Sequence, residues 1–259
     1  MRDTALVTHS AVDAAFAPPE AVARLGMIVL STDLTSERDA AKALPGHQAA
    51  LHVTRVVHEN PSTPENLRKM GPRLAAAAEM LASVPGLAAI LYSCTAASVE
   101  IGDASVAQAI NSACPDVPVV TPPDAAVRAF AALGVRRVAL VTPYLIETTQ
   151  PMLRYLTARG LEIVNAECLG IADDRTMARV TPETIVAAAE AADCPEAEGV
   201  FISCTALAAF DVIDEIETRL GKPVISSNQA GLWQLMQHAS VTPARGPGRL
   251  FTVGLGERA

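Results

Sequence analysis

The sequence predicts an α/β fold made of parallel sheets and arranged as two similar halves. Three observations carry this. Short aliphatic runs alternate with amphipathic ones along the whole chain. Half of the 259 residues are hydrophobic but only 3% are aromatic, so the apolar mass is Ala, Val, Leu and Ile. That composition suits buried strands covered by Ala-rich helices. Finally, one strand–turn–helix motif occurs twice.

Strands are expected at Gly26–Thr32, Leu51–Val57, Leu87–Tyr92, Val117–Val120, Val135–Thr142, Glu162–Cys168, Gly199–Ser203 and Pro223–Ser226. Each is a short run rich in β-branched or aliphatic residues. Helical patterns lie between them, at Thr35–Leu44, Pro64–Ser83, Asp103–Ala113, Asp124–Leu133, Leu145–Arg159, Pro182–Ala192, Ala206–Leu220 and Gln229–Ala239. Strands separated by helices require crossover connections, and so parallel pairing. The expected organisation is an extension over 1–25, a first lobe over 26–120 and a second over 121–226. A helix over 227–242 packs back on the first lobe, and a Gly-, Pro- and Arg-rich tail covers 243–259.

Charge and cysteine usage exclude several functions. The net charge is −8, from 20 basic and 28 acidic residues. The basic residues are scattered, and no run would track a phosphate backbone, so nucleic acid is not an expected partner. No stretch of about 20 apolar residues suggests a membrane span, and the N-terminus does not read as a signal peptide. Five cysteines, an odd count without CxxC spacing, argue against zinc and against a disulfide framework. They fit a cytoplasmic protein. The histidines show no metal spacing; only His58, at a strand end, invites attention. Nucleotide-binding glycine patterns are absent.

The repeat locates the chemistry. Residues 87–97 read LAAILYSCTAA and residues 198–208 read EGVFISCTALA. Each is a hydrophobic strand ending in Ser-Cys-Thr-Ala. Downstream, VPVVT (117–121) and KPVIS (222–226) are a second matched pair of strands. Two copies of one βαβ unit imply two similar halves that face each other. Ligands of parallel sheets bind beyond the carboxyl ends of the strands. Cys94 and Cys204 both lie there, each expected in the first turn of a helix, where N–H groups and the helix dipole favour a thiolate. The hydroxyls of Ser93, Thr95, Ser203 and Thr205 are candidate binders of a substrate carboxylate. Two thiols on opposite sides of one carbon can remove and return a proton. Alternatively, one adds covalently while the other donates. Cys114, Cys168 and Cys194 read as small buried hydrophobes.

These motifs resemble the aspartate/glutamate racemase superfamily, and more closely its maleate isomerase and arylmalonate decarboxylase branch. The resemblance runs from about Gly26 to Ala239 through LYSCTAASVEIGD (91–103), VTPYLIE (141–147), FISCTAL (201–207) and GKPVISSNQAGLWQL (221–235). STDLTSERD (31–39) and NPSTPENLRKM (60–70) resemble the ectoine-utilisation proteins of that branch. The resemblance implies two pseudo-symmetric lobes with the active site between them, a small carboxylate substrate, no cofactor or metal, and a homo-oligomer. It implies catalysis by Cys94 and Cys204, with Tyr144 as a donor to a substrate oxygen. Arylmalonate decarboxylases have Gly where this chain has Cys94, so the pair points to a racemase or isomerase.

Two departures bear on the substrate. Where maleate isomerases carry Asn after the first strand, this chain has Asp33, and after the sixth strand Asp174 takes the matching place. An ionised Asp accepts hydrogen bonds but cannot donate them. A substrate with a nitrogen group, such as an ectoine-derived diaminobutyrate, is therefore expected. The alternative for Asp33 is to cap the helix beginning near Thr35. Ser226–Gln229 is expected to support the Cys204 loop. Other functions consistent with the sequence are maleate-type cis–trans isomerisation, a lyase or decarboxylase with Cys204 as proton donor, and non-catalytic carboxylate binding.

Overall fold

The computed structural model describes residues 7–243 and 246–253. Residues 1–6 of the expected extension, and 244–245 and 254–259 of the expected tail, lie outside the described residues. Among the described residues, eight parallel strands form two four-stranded sheets of identical topology, ordered β2-β1-β3-β4 and β6-β5-β7-β8. The first half runs β1 (Ala23–Leu30), α1 (Ser36–Ala43), β2 (Ala49–Val56), α2 (Pro64–Arg68), α3 (Leu74–Ala82), β3 (Leu87–Ser93), α4 (Thr95–Ile101), α5 (Asp103–Asn111) and β4 (Val119–Val120). The second runs α6 (Pro122–Ala132), β5 (Arg137–Thr142), α7 (Ile146–Ala158), β6 (Glu162–Cys168), α8 (Asp174–Met177), α9 (Pro182–Ala192), β7 (Gly199–Ile202), α10 (Ile213–Leu220), β8 (Val224–Ser226) and α11 (Ser227–His238).

All eight expected strands are present, and three expectations about the elements need correction. The helix expected over 64–83 is broken by a 3-10 turn at Gly71–Arg73, because Pro72 has no N–H to continue the ladder. α4 (Thr95–Ile101) is missing from the expected helical patterns, which begin only at Asp103; Gly102, at φ 87°, ends it in a conformation a side chain would resist and so separates it from α5. The helix expected from Ala206 begins only at Ile213, after a 3-10 turn at Ala209–Val212. Residues 204–208 are irregular. In the tail, the described residues include a 3-10 turn, Arg249–Thr252, whose Leu250 is buried.

The two sheets are joined by an exchange of helices. α6 follows β4 but sends Phe130 edge-on against Phe201 of β7, with ring centroids 6.2 Å apart. Gly199 of β7 makes room, since a Cβ there would stand 3.3 Å from the Phe130 ring and 3.0 Å from the Pro223 carbonyl. α11 follows β8 but packs on β3 of the first sheet, where a Cβ on Gly231 would stand 3.0 Å from Leu91. The same helix packs on α6 and α1. Each fully buried Leu or Phe in this seam stabilises the fold by about 1.5–3 kcal/mol.

Candidate active site

The parallel topology sends the loops after β1, β2, β3, β5, β6 and β7 toward one place. Cys94 ends β3 as the N-cap of α4. Cys204 follows β7, with φ 137°, a backbone rarely adopted by a residue with a side chain. That turn curls residues 204–206 back on themselves, so the Ala206 N–H donates to Cys204 Sγ at 3.3 Å. Both cysteines are buried, at 5% and 4% exposure. Cys94 has the expected place at a helix start; Cys204 does not, and receives N–H groups from its own irregular loop instead.

Burial dominates both sulfurs. It pushes the Cys204 thiol up to about 12, and the charge of Asp174 pushes the same way, while Tyr144 and the Ala206 and Leu207 N–H groups oppose it. Burial holds the Cys94 thiol well above the ordinary range, and Asp174, Cys204 and Asp33 add to the rise. The expectation of a helix-stabilised thiolate is thus corrected: desolvation outweighs the N–H groups, and both thiols rest neutral at pH 7. Each sulfur has a phenol beside it. Tyr144 borders Cys204, and Tyr92 borders Cys94 while its hydroxyl reaches Met70 Sδ at 3.7 Å. Burial keeps both phenols protonated. Tyr92 escapes sequence analysis because it sits within an apolar strand, where a Tyr is ordinary core.

Most of the expected binding hydroxyls are used by the framework. Thr95 Oγ1 donates to Ser227 Oγ (2.8 Å), which accepts from Cys204 N (3.0 Å). Thr205 Oγ1 donates to the Ser93 carbonyl (3.1 Å), and the Ser93 hydroxyl pairs with Ser36 (2.9 Å). Ser203 Oγ alone is not used by the framework; it is buried within reach of the Tyr144 hydroxyl. The stretch after β8 supports the Cys204 loop: Ser227 holds Cys204, and Asn228 Nδ2 donates to Thr205 O (3.0 Å).

The two aspartates part company. Asp33 Oδ1 accepts from the N–H groups of Thr35 (3.0 Å) and Ser36 (2.9 Å), and Oδ2 from the Ser36 hydroxyl (2.6 Å). Its carboxylate closes the first turn of α1, which is the capping alternative. Asp174 is buried, bears electrostatically on both sulfurs and accepts a hydrogen bond from Thr32 Oγ1 (2.6 Å). Burial raises its carboxyl, Asp33 and Asp173 add to this, and the Thr32 hydrogen bond and the charge of Arg175 oppose it.

Bonds between the halves enclose the thiols. Ser62 N donates to Ala172 O (2.9 Å), Asp174 N to Asn60 Oδ1 (3.1 Å) and Thr148 Oγ1 to Ser62 O (3.0 Å). Thr35 Oγ1 donates to Ala206 O (2.8 Å), and Arg38 and Lys42 pair with Asp211. His58 bonds Ser62 Oγ at 3.2 Å, and burial lowers its basicity. Among the described residues no group of three or more His, Cys, Asp or Glu could hold a metal ion.

Asp39 on α1 reaches across to this loop. It is fully buried, and its Oδ2 accepts from Asn228 Nδ2 at 2.8 Å. Burial raises its carboxyl from 3.8 to about 6, the Asn228 bond opposing. A raised acid binds its proton more tightly in the folded state, so this group's contribution falls as pH rises from 3.8 to about 6 and is then flat. Relative to Asp39→Asn, wild type is expected to lose about 1–1.5 kcal/mol of stability between pH 5 and pH 7.5. Thermal denaturation of both proteins at the two pH values measures it; parallel Tm values would show that Asp39 titrates normally.

Comparison with known proteins agrees with this architecture. A sequence profile described as "Amdase: Arylmalonate decarboxylase" matches residues 62–251. Arylmalonate decarboxylase of Bordetella bronchiseptica is 38% identical over 141 residues, 52% of this chain and 58% of that protein. Maleate isomerase of Nocardia farcinica is 29% identical over 243 residues, 89% of this chain and 96% of that one. The solved structure of Nocardia farcinica maleate cis-trans isomerase, a cysteine-to-serine variant with a covalently bound succinylcysteine intermediate, matches with a TM-score of 0.80 at 26% identity. It covers 89% of this chain and 98% of that one. The chain belongs to the arylmalonate decarboxylase family, within the maleate isomerase and arylmalonate decarboxylase branch of the aspartate/glutamate racemase superfamily.

Proposed function

We propose that this protein is a cofactor-independent racemase or cis–trans isomerase of a small carboxylate, working through Cys94 and Cys204. One observation carries the reading: the only cysteines at matched strand ends of the two half-repeats are both buried and both under the charge of the same acid, Asp174. In the proton-transfer version, the thiolate of one cysteine takes a proton from the substrate carbon. The neutral thiol of the other then returns its proton to the opposite face. In the addition version, a thiolate adds to a carbon–carbon double bond and the second thiol protonates the neighbouring carbon. Rotation and reversal then release the isomer and restore both sulfurs. The succinylcysteine in the Nocardia farcinica isomerase supports the second version. Tyr144 and Ser203 flank Cys204 and are the groups that would face a substrate oxygen. An ectoine-derived diaminobutyrate is the finer candidate substrate, and a reducing cytoplasm would keep the thiols free.

The family profile and the 38% identity favour a second reading. Cys204 would then protonate the carbanion left when a malonate-type substrate loses carbon dioxide, with Cys94 an auxiliary.

NMR in D2O separates the two. Wild type, Cys94→Ser and Cys204→Ser are incubated with diaminobutyrate, aspartate, maleate and an arylmalonate. Deuterium incorporation or isomer formation that needs both thiols is the expected result. Exchange surviving both substitutions removes the two-thiol mechanism, and carbon dioxide release that needs Cys204 alone establishes the decarboxylase.

A further inference from the structure

We infer that the start of α1, in the first half, aims the two backbone N–H groups that steady the Cys204 sulfur in the second. It does so through Thr35, and through Asp39 acting on Asn228. These three are positioning residues. The inference rests on the reading of Cys204 as a working thiol, which both proposed reactions require.

Two peptide units face the Cys204 sulfur. The Ala206 N–H donates to Sγ at 3.3 Å, and the Leu207 N–H acts on it in the same sense. Each N–H shares a planar trans peptide with the carbonyl of the residue before it, Thr205 for Ala206 and Ala206 for Leu207. In such a unit the oxygen and the hydrogen point in opposite directions, so a bond that grips the oxygen also aims the N–H. Both oxygens are gripped. Asn228 Nδ2 donates to Thr205 O at 3.0 Å, and Thr35 Oγ1 donates to Ala206 O at 2.8 Å. A bond to the carbonyl also polarises the unit and strengthens its N–H as a donor.

Both grips trace back to α1. Thr35 is the N-cap of that helix, where a threonine hydroxyl ordinarily serves its own first turn. It makes no such bond. Asp33 serves those N–H groups instead, and the Thr35 hydroxyl is left for the other half. Asp39, one turn further on, is fully buried, and its Oδ2 accepts from Asn228 Nδ2 at 2.8 Å. Asp39 and Thr205 O together use both hydrogens of that amide, while Asn228 Oδ1 is buried without a hydrogen-bond partner. The amide is thus oriented by its donor end alone, and Asp39 decides which way it faces.

Cys204 needs this help more than Cys94 does. Cys94 is the N-cap of α4, and the helix itself sets the direction of the N–H groups beyond it. Cys204 sits at φ 137° ahead of an irregular segment, with no helix to set them. Its sulfur is buried, so water does not replace an N–H that has turned away.

Alkylation by iodoacetamide at pH 9, followed separately at Cys204 and Cys94 by peptide mass spectrometry, tests the inference without any substrate. The thiolate is the reacting form. The rate at Cys204 divided by that at Cys94 therefore follows the Cys204 anion and cancels changes in general access. Thr35→Val and Asp39→Ala are each expected to lower this ratio by about tenfold. Thr35→Ser and Asp39→Asn keep a donor and an acceptor in place, and are expected to stay within about twofold of wild type. A merely structural role predicts the other sign, because looser bonds around the Cys204 loop would admit the reagent faster. A ratio unchanged or raised in Thr35→Val overturns the inference, as does a Thr35→Ser protein no better than Thr35→Val. If Asp39→Ala fails to fold, Thr35→Val decides, since the Thr35 hydroxyl makes no cap bond in its own helix. Thiol-independent exchange in D2O beside the expected ratios would remove the two-thiol reading and leave the positioning intact, so the two failures are distinguishable.

Discussion

Cys204→Ser is expected to lower kcat by about 10³-fold while leaving the fold intact. The oxygen is smaller than sulfur and the loop is held elsewhere, by Ser227 on the Cys204 N–H and by Asn228 on Thr205 O. The substitution therefore removes chemistry and spares structure. An alcohol ionises far less readily than a thiol, so the N–H groups of Ala206 and Leu207 and the Tyr144 hydroxyl would have no anion to stabilise. Cys94→Ser should cost a comparable factor if both faces of the carbon are worked. Single-turnover kinetics with matched thermal melts decide the matter. A Cys94→Ser enzyme that retains most of its kcat beside an inactive Cys204→Ser would point to one-thiol decarboxylation.

The rate should also depend steeply on pH. kcat/KM is expected to rise about tenfold per pH unit from 7 to 9, close to a hundredfold in all, with no plateau. The free enzyme holds the Cys204 thiol at about 12 and Cys94 also far above the usual range, chiefly through burial. Below those values the thiolate fraction of the free enzyme grows in proportion to hydroxide. The acidic limb should therefore have unit slope. A plateau between pH 8 and 9 would show that the sulfurs ionise like exposed cysteines.

Much of this was legible in the sequence, for reasons that are local. Aliphatic runs such as Leu87–Tyr92 and Gly199–Ser203 locate strands because a strand buried on both faces needs nothing else. The duplicated Ser-Cys-Thr-Ala locates the thiols because parallel sheets expose that end of the strand. What escaped depends on distance along the chain. Nothing near Asp39 announces that it will hold Asn228, 189 residues away, against the Cys204 loop. Asp33 and Asp174 look alike as acids after strands, and only the path of the backbone hands one to the Thr35 and Ser36 N–H groups and the other to the Thr32 hydroxyl. The irregular 204–208 segment was hidden because Ala206–Leu220 has helical composition. The turn at Cys204 and the bonds from Thr35, Ser227 and Asn228 override it.

The exchanged helices have a consequence for how the protein is made. The face of β3 that carries Ala89 and Leu91 is covered by α11, which is synthesised last among the helices, more than 130 residues later. When the first sheet leaves the ribosome, its partner on that face does not yet exist. The first half thus emerges with an apolar face that its native cover reaches only once residue 238 is free. Each half therefore depends on a helix from the other to cover its sheet, despite the repeat that makes each look like a separate module.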